Sequence, residues 1–214
     1  MTRQFAGLDA ARVRDNLARV HDRIAAAGRD PADVELCVAT KYLAADDLPA
    51  LAEAGVTVVG ENRAQDLTAK HALHGRLFEW DFIGALQSRK VKEIAPLVRV
   101  IQSVASESAL SQLSRHPVAE VLIQVNVARE EGKTGIDPGA LGEFLASAPV
   151  PVTGLMTMPP FTERPEDSRR HFARLAELAA EHGLSRLSMG TTQDYVVAVE
   201  EGATIVRLGS ALLA

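Results

Sequence analysis

The chain has 214 residues, of which 23 are Lys or Arg and 28 are Asp or Glu, a formal net charge of −5, with 47% hydrophobic and 24% charged side chains. This balance excludes a globally disordered chain, and neither sign of charge gathers into a long block, so a nucleic-acid binder held by electrostatics is not expected. Cys37 is the single cysteine, which excludes an intrachain disulfide and a zinc-finger framework and fits a reducing cytosol.

Residues 1–7 carry no uninterrupted apolar stretch of the kind a signal peptide or membrane span needs, so a cytoplasmic protein without a membrane anchor is expected. Over 8–27 the apolar residues Val13, Leu17, Val20, Ile24 and Ala27 recur in a 4-3-4-3 rhythm that predicts a helix with one buried stripe, ended by Gly28 and Pro31. A short apolar run over 34–40 then reads as a strand, and 45–54 as a helix stopped by Gly55. The same beat recurs with strand starts at 34, 56, 78, 99 and 120, one strand and one helix for each period. Three further strands are predicted over 151–158, 186–189 and 203–208, with a long helix over 165–182 that opens on Pro165 and closes at Gly183.

Eight strands alternating with helices predict a parallel sheet, and such a count most often closes into a single (β/α)8 TIM barrel. An open doubly wound sheet would carry a Gly-rich phosphate turn after its first strand, where this chain has Lys41-Tyr42-Leu43-Ala44. The few residues left after the last strand are too short for a full outer helix, so the extra N-terminal helix is expected to fill that gap in the ring. No linker or low-complexity tract interrupts the chain, so 1–214 is read as one domain.

In a barrel, ligands bind at the carboxyl ends of the strands. Strand alternation puts Lys41 on the same inward face as Cys37 and Ala39. A desolvated lysine there loses basicity and attacks a carbonyl, whereas the alternative for a lone lysine is a solvated residue just past the strand end. Arg207 alternates inward with Ala203 and Ile205 on the last strand, which neighbours the first in a closed ring. Gly190-Thr191-Thr192 and Gly209-Ser210 follow strands 7 and 8, the recurrent phosphate-binding place, where glycines admit backbone N–H groups and hydroxyls add donors. A Schiff-base lysine, an arginine and a phosphate cup describe a site for pyridoxal 5′-phosphate.

Seven blocks in order, among them Ala39-Thr40-Lys41, Gly60-Glu61-Asn62, the 82–90 stretch FIGALQSRK, Lys133-Thr134-Gly135, Leu187-Ser188-Met189-Gly190 and Val206-Arg207-Leu208-Gly209-Ser210, resemble the YggS/PROSC family of pyridoxal phosphate homeostasis proteins. The resemblance covers nearly the whole chain and implies a barrel like the N-terminal domain of alanine racemases. It implies that Lys41 holds the cofactor as an internal aldimine, Arg207 meets its ring nitrogen, and Thr192, Gly209 and Ser210 form the phosphate cup, with Ser188 as a further candidate for that cup and Asn62 as a polar neighbour of the cofactor. It also implies a carrier or buffer without established turnover, in transient contact with apoenzymes; without the additional domain through which racemases dimerise, a monomer is expected. The alternative is a racemase-like amino-acid enzyme, against which stands the lack of room for a second domain. The chain departs from the family at Tyr42, where Pro is usual, at Asp81 and Gln102, where His is commoner, and at Thr191-Thr192 in place of Met-Ser. His71 and His74 are read as a solvated helix face, with no metal assigned. Lys133 is either a second site for cofactor transfer or a loop charge.

Overall fold

The computed structural model describes residue 5 and residues 7–214. Residues 1–4 and 6, on which part of the expectation of no apolar leader rests, lie outside the described residues. Helix α1 (Ala10–Ala26) is opened by the Asp9 side chain, which accepts from the Ala11 N–H at 2.9 Å, and buries Val13, Val20 and Ile24 in one stripe. Eight strands follow: β1 (Glu35–Ala39), β2 (Val58–Glu61), β3 (Glu79–Phe82), β4 (Val100–Val104), β5 (Glu120–Gln124), β6 (Gly154–Met156), β7 (Arg186–Thr191) and β8 (Ile205–Leu208). All neighbours are parallel and β8 pairs back onto β1, so the sheet is a closed barrel in sequence order. This is the expected (β/α)8 TIM barrel. Among the described residues no helix is long and apolar enough to cross a membrane.

The strands read as near-continuous apolar runs because both of their faces are covered. Outside the ring lie α2 (Leu48–Glu53), α3 (Ala64–His74), α4 (Val91–Ile94), α5 (Glu107–Leu113), α6 (Leu141–Ala146), α7 (Arg169–Glu181), α8 (Tyr195–Glu200) and the single turn α9 (Ser210–Leu213). Several are shorter than the sequence reading, because their first turn is wound as a 3-10 helix: 45–47 precedes α2 and 165–168 precedes α7. Helix α1 packs against α2, α8 and α9, so it fills the gap in the outer layer as expected. Asn16, buried on α1, ties this seam by donating to the carbonyls of Leu212 and Ala214 at 2.8 and 3.2 Å.

Inside the ring, Cys37, Val58, Val100, Leu122, Met156 and Ile205 form an apolar cluster of their own. Where β6 meets β7, Gly154 lies opposite Arg186, and a Cβ at Gly154 would overlap the Arg186 carbonyl oxygen. Backbone cannot swing aside as a side chain does, so Gly154→Ala is expected to cost about 3 kcal/mol, the upper end for overpacking, read from the urea midpoint at unchanged m-value.

One local expectation is corrected. β1 ends at Ala39, not at Lys41, and Lys41 sits in the turn beyond it, solvent-exposed. The cause is the anchoring of Thr40: its hydroxyl donates to Glu61 at 2.7 Å and its carbonyl accepts from Lys70 at 2.8 Å, which draws the chain off the sheet.

Candidate functional site

Two cavities of about 410 Å³ lie at opposite ends of the barrel, within the range of roughly 300–1,000 Å³ typical of ligand clefts. The cavity at the amino ends is lined by Asp33, Glu35 and Arg186, among others, and its charges answer one another, with Arg186 3.4 Å from Glu35. The cleft at the carboxyl ends is different. It gathers Lys41, Asn62, Thr192, Arg207, Gly209 and Ser210 from β1, β2, β7 and β8 and the turns that follow them.

Arg207 lies at the floor of this cleft, 5% exposed. Its guanidinium donates to Ser188 Oγ, to the Thr157 carbonyl at 2.8 Å and to Met158 Sδ at 2.9 Å. Among the described residues no carboxylate lies within 4 Å of it. Burial lowers its pKa to about 10, with Cys37 and Asp194 acting in the opposite direction, so it remains charged near neutrality. A buried cation without a counter-ion is costly unless a ligand supplies an acceptor or negative charge.

Lys41 lines the same cleft from its mouth, with its ammonium 4.7 Å over the Tyr42 ring. Lys41 and Arg207 therefore share one cavity, though Lys41 reaches it from a turn and not from the inner face of a strand. Behind Lys41, Glu61 and Lys70 form a buried ion pair that also takes the Thr40 hydroxyl and carbonyl, so the turn has a rigid base. Asn62 follows Glu61, and its Oδ1 is buried without a hydrogen-bond partner. The Asn62 backbone is pressed against Gly84, where an added Cβ would overlap the Asn62 carbonyl, and Gly84 in turn accepts from the Ser103 hydroxyl.

Across the cleft, Thr192 Oγ1 accepts from the N–H groups of Gly209 and Ala211, each at 3.2 Å. The hydroxyl oxygen thus marks a point toward which two backbone donors converge, the geometry of a small anion cup. Asp194 stiffens this rim by accepting from the Thr191 N–H at 2.7 Å and its hydroxyl at 3.1 Å.

Ser188 is the site residue placed elsewhere. It lies inside the barrel, fully buried and bonded to Arg207 and Gln102, away from the Thr192, Gly209 and Ser210 rim. The reason is its position two residues before the bend at Gly190, where the strand still points its side chain into the ring. Lys133 stands outside the cleft as an exposed loop residue 3.8 Å from Glu130. His71 packs on Trp80 with ring centroids 5.7 Å apart.

Sequence reasoning missed Tyr42, Ile83, Gly84, Met158 and Gln193 as further walls of the cleft. It named Asp81 and Gln102 only as departures from the family and missed that both point into the ring. Their signal was present: each is a polar residue within a short apolar strand, Asp81 between Trp80 and Phe82, Gln102 after Ile101.

Ring and cleft together define a (β/α)8 barrel with a cleft at the carboxyl ends of its strands, floored by a buried guanidinium. No protein-family model matches the chain. It is 39% identical to a pyridoxal phosphate homeostasis protein of Aquifex aeolicus, over 92% of this chain and 96% of that one. A second such protein, from Pseudomonas aeruginosa, is 37% identical with 94% of each chain covered. PipY of Synechococcus elongatus, solved with PLP bound, superposes with a TM-score of 0.80 at 28% identity, over 94% of this chain and 100% of that one. The chain belongs to the family of pyridoxal phosphate homeostasis proteins.

Proposed function

We propose that this chain binds pyridoxal 5′-phosphate in the carboxyl-end cleft, held on Lys41, and serves intracellular homeostasis of the cofactor as a carrier. The observation that carries the reading is Arg207, a buried guanidinium at the cleft floor with no carboxylate partner. The residues present fit the group: Asn62 Oδ1 is an unused buried acceptor, and the Gly209 and Ala211 N–H groups converge on one point at the rim. In this reading Lys41 would hold the group at its aldehyde, Thr192, Gly209 and Ser210 would hold the phosphate, Arg207 would meet the ring nitrogen, and Asn62 would border the ring. Ser188 acts from below through Arg207.

The bound cofactor supplies an aldehyde for a neutral amine and a ring that withdraws electrons. Arginine offers only donors and stays charged, so Arg207 leaves a ring nitrogen unprotonated and weakens that electron withdrawal. Such a site retains the group and does little carbanion chemistry. We read 1–214 as one domain, monomeric and cytoplasmic, that meets apoenzymes transiently. The test is the visible spectrum of the chain with added pyridoxal 5′-phosphate, followed by borohydride reduction and peptide mass mapping. A single adduct on Lys41 is expected. Adducts scattered over surface lysines would overturn the binding reading. Cα proton exchange of amino acids in heavy water that vanishes in Lys41→Ala would replace the carrier by a racemase-like enzyme.

A further inference from the structure

Four buried polar side chains run in file across the barrel interior, from β8 through β7 and β4 to β3. Arg207 donates to Ser188 Oγ, Ser188 donates to Gln102 Oε1 at 2.6 Å, and Gln102 Nε2 donates to Asp81 Oδ2 at 2.6 Å. Ser188, Gln102 and Asp81 are fully buried, in a region that barrels usually fill with branched aliphatic residues. Arginine has only donors and an ionised carboxylate only acceptors. With those two ends fixed, the hydroxyl and amide between them have a single orientation.

We propose that Asp81, Gln102 and Ser188 are positioning residues that aim Arg207 at the ring nitrogen of the bound cofactor, and that ionisation of Asp81 sets how tightly the cofactor is held. The proposal rests on the binding reading above.

With Asp81 ionised, each link of the file runs from a donor to an acceptor, and the negative end polarises the chain toward the guanidinium. With Asp81 protonated, its acid proton needs an acceptor of its own. Gln102 must then turn its amide, Ser188 meets donors from both sides, and the Ser188 proton loses its partner. Arg207 loses its fixed anchor. Burial pushes the Asp81 pKa up to about 7, against the opposing pull of Arg99 and of the Gln102 hydrogen bond.

Several other charged or titratable groups stand around Asp81. From the start of β4, Arg99 Nε lies 3.1 Å from Asp81 Oδ1, but the same guanidinium is shared with Glu35 of β1 at 2.6 Å and Glu79 of β3 at 3.4 Å. Arg186 of β7 is divided between Glu35 and Glu120 of β5. Cys37, inside the ring from β1, has its pKa raised well above the thiol value by burial and stays neutral. Asp81 is therefore the group in this file that changes charge near neutrality.

The test has two arms, run from about pH 5.5 to about pH 8.5 to bracket the Asp81 transition. In the ligand-free chain, the Arg207 guanidinium ¹⁵N resonances are expected to move with the midpoint of the Asp81 ¹³Cγ resonance, and to stop moving in Asp81→Asn. In the second arm, pyridoxal 5′-phosphate is titrated into wild type, Asp81→Asn, Ser188→Ala and the double variant. The dissociation constant of Asp81→Asn relative to wild type is expected to rise from near unity at the acid end to about tenfold at the alkaline end, one pKa unit of coupling. Ser188→Ala, which removes one buried oxygen and serves if Asp81→Asn fails to fold, is expected to bind about tenfold more weakly than wild type at the alkaline end, with no further loss in the double variant. An Arg207 signal that ignores Asp81, a ratio constant with pH, or losses that add in the double variant would each overturn the proposal. Arg207 titrating with Asp81 in a chain that forms no Lys41 adduct overturns the binding reading and leaves the coupling standing. A chain that loads normally with a flat Arg207 signal overturns the coupling alone.

Discussion

Lys41→Ala is expected to eliminate the borohydride-stable adduct of pyridoxal 5′-phosphate and to weaken its affinity about a hundredfold or more, each 1.4 kcal/mol being a factor of ten. Lys41 lines the mouth of the cleft, with Arg207 at its floor and the Thr192, Gly209 and Ser210 rim across it, so the variant keeps the groups proposed to attract the phosphate and the ring. Residual, reversible binding is therefore expected, without the visible band of the wild type. Spectra that match between the two proteins would remove Lys41 from its role. The exposed position of Lys41 bears on exchange as well: its nitrogen is reached from solvent through the mouth of the cleft, while the groups proposed to retain the cofactor lie deeper.

The second large effect is expected at Lys70. Its ammonium neutralises Glu61, which is completely buried, and it also holds the Thr40 carbonyl at 2.8 Å. Lys70→Ala leaves a carboxylate buried and unpaired, which costs about 3–5 kcal/mol, a large share of the roughly 5–15 kcal/mol that stabilises a domain. The urea midpoint is the measurement. The double variant Glu61→Gln with Lys70→Met removes both charges and is expected to recover more than half of the loss, because the penalty comes from the orphaned charge and not from the missing bond. A double variant no more stable than Lys70→Ala would show that the pair matters through its shape. Cofactor retention is expected to fall in Lys70→Ala even where the fold survives, since the turn that carries Lys41 has lost its base.

Much of the architecture was legible in the sequence because parallel strands buried on both faces write themselves as short apolar runs, and the helix between them sets their spacing. The starts predicted at 34, 56, 78, 99 and 120 fall within two residues of the observed strands. The N-terminal stripe of Val13, Val20 and Ile24 was equally readable, since one face of a helix needs only local periodicity. Lys41 was harder. Extending β1 by alternation aimed it inward, but Thr40 is held by Glu61 and Lys70, residues 21 and 30 positions further on, and no local pattern announces such a contact. Ser188 shows the same limit. Its neighbourhood to Gly190 and Thr192 in sequence pointed to the rim, whereas the strand carries it down to meet Gln102, 86 positions away. Asp81 and Gln102 were visible as anomalies in apolar strands, and only the closed ring shows that they answer each other.

The seam of the barrel joins its first strand to its last. Cys37 pairs in register with Arg207, and α1 is fastened to the last turn through Asn16. The cleft is accordingly split between the turn after the first strand and the residues of the last strand, far apart in sequence. On the ribosome, Lys41 emerges long before Arg207, Gly209 and Ser210, and until the last strand docks beside the first it is an ordinary solvated amine with nothing to hold an aldehyde against it. A ligand held in this cleft would thus report the closed ring: a partly opened ring lacks the cleft, and binding there would stabilise the closure that forms it.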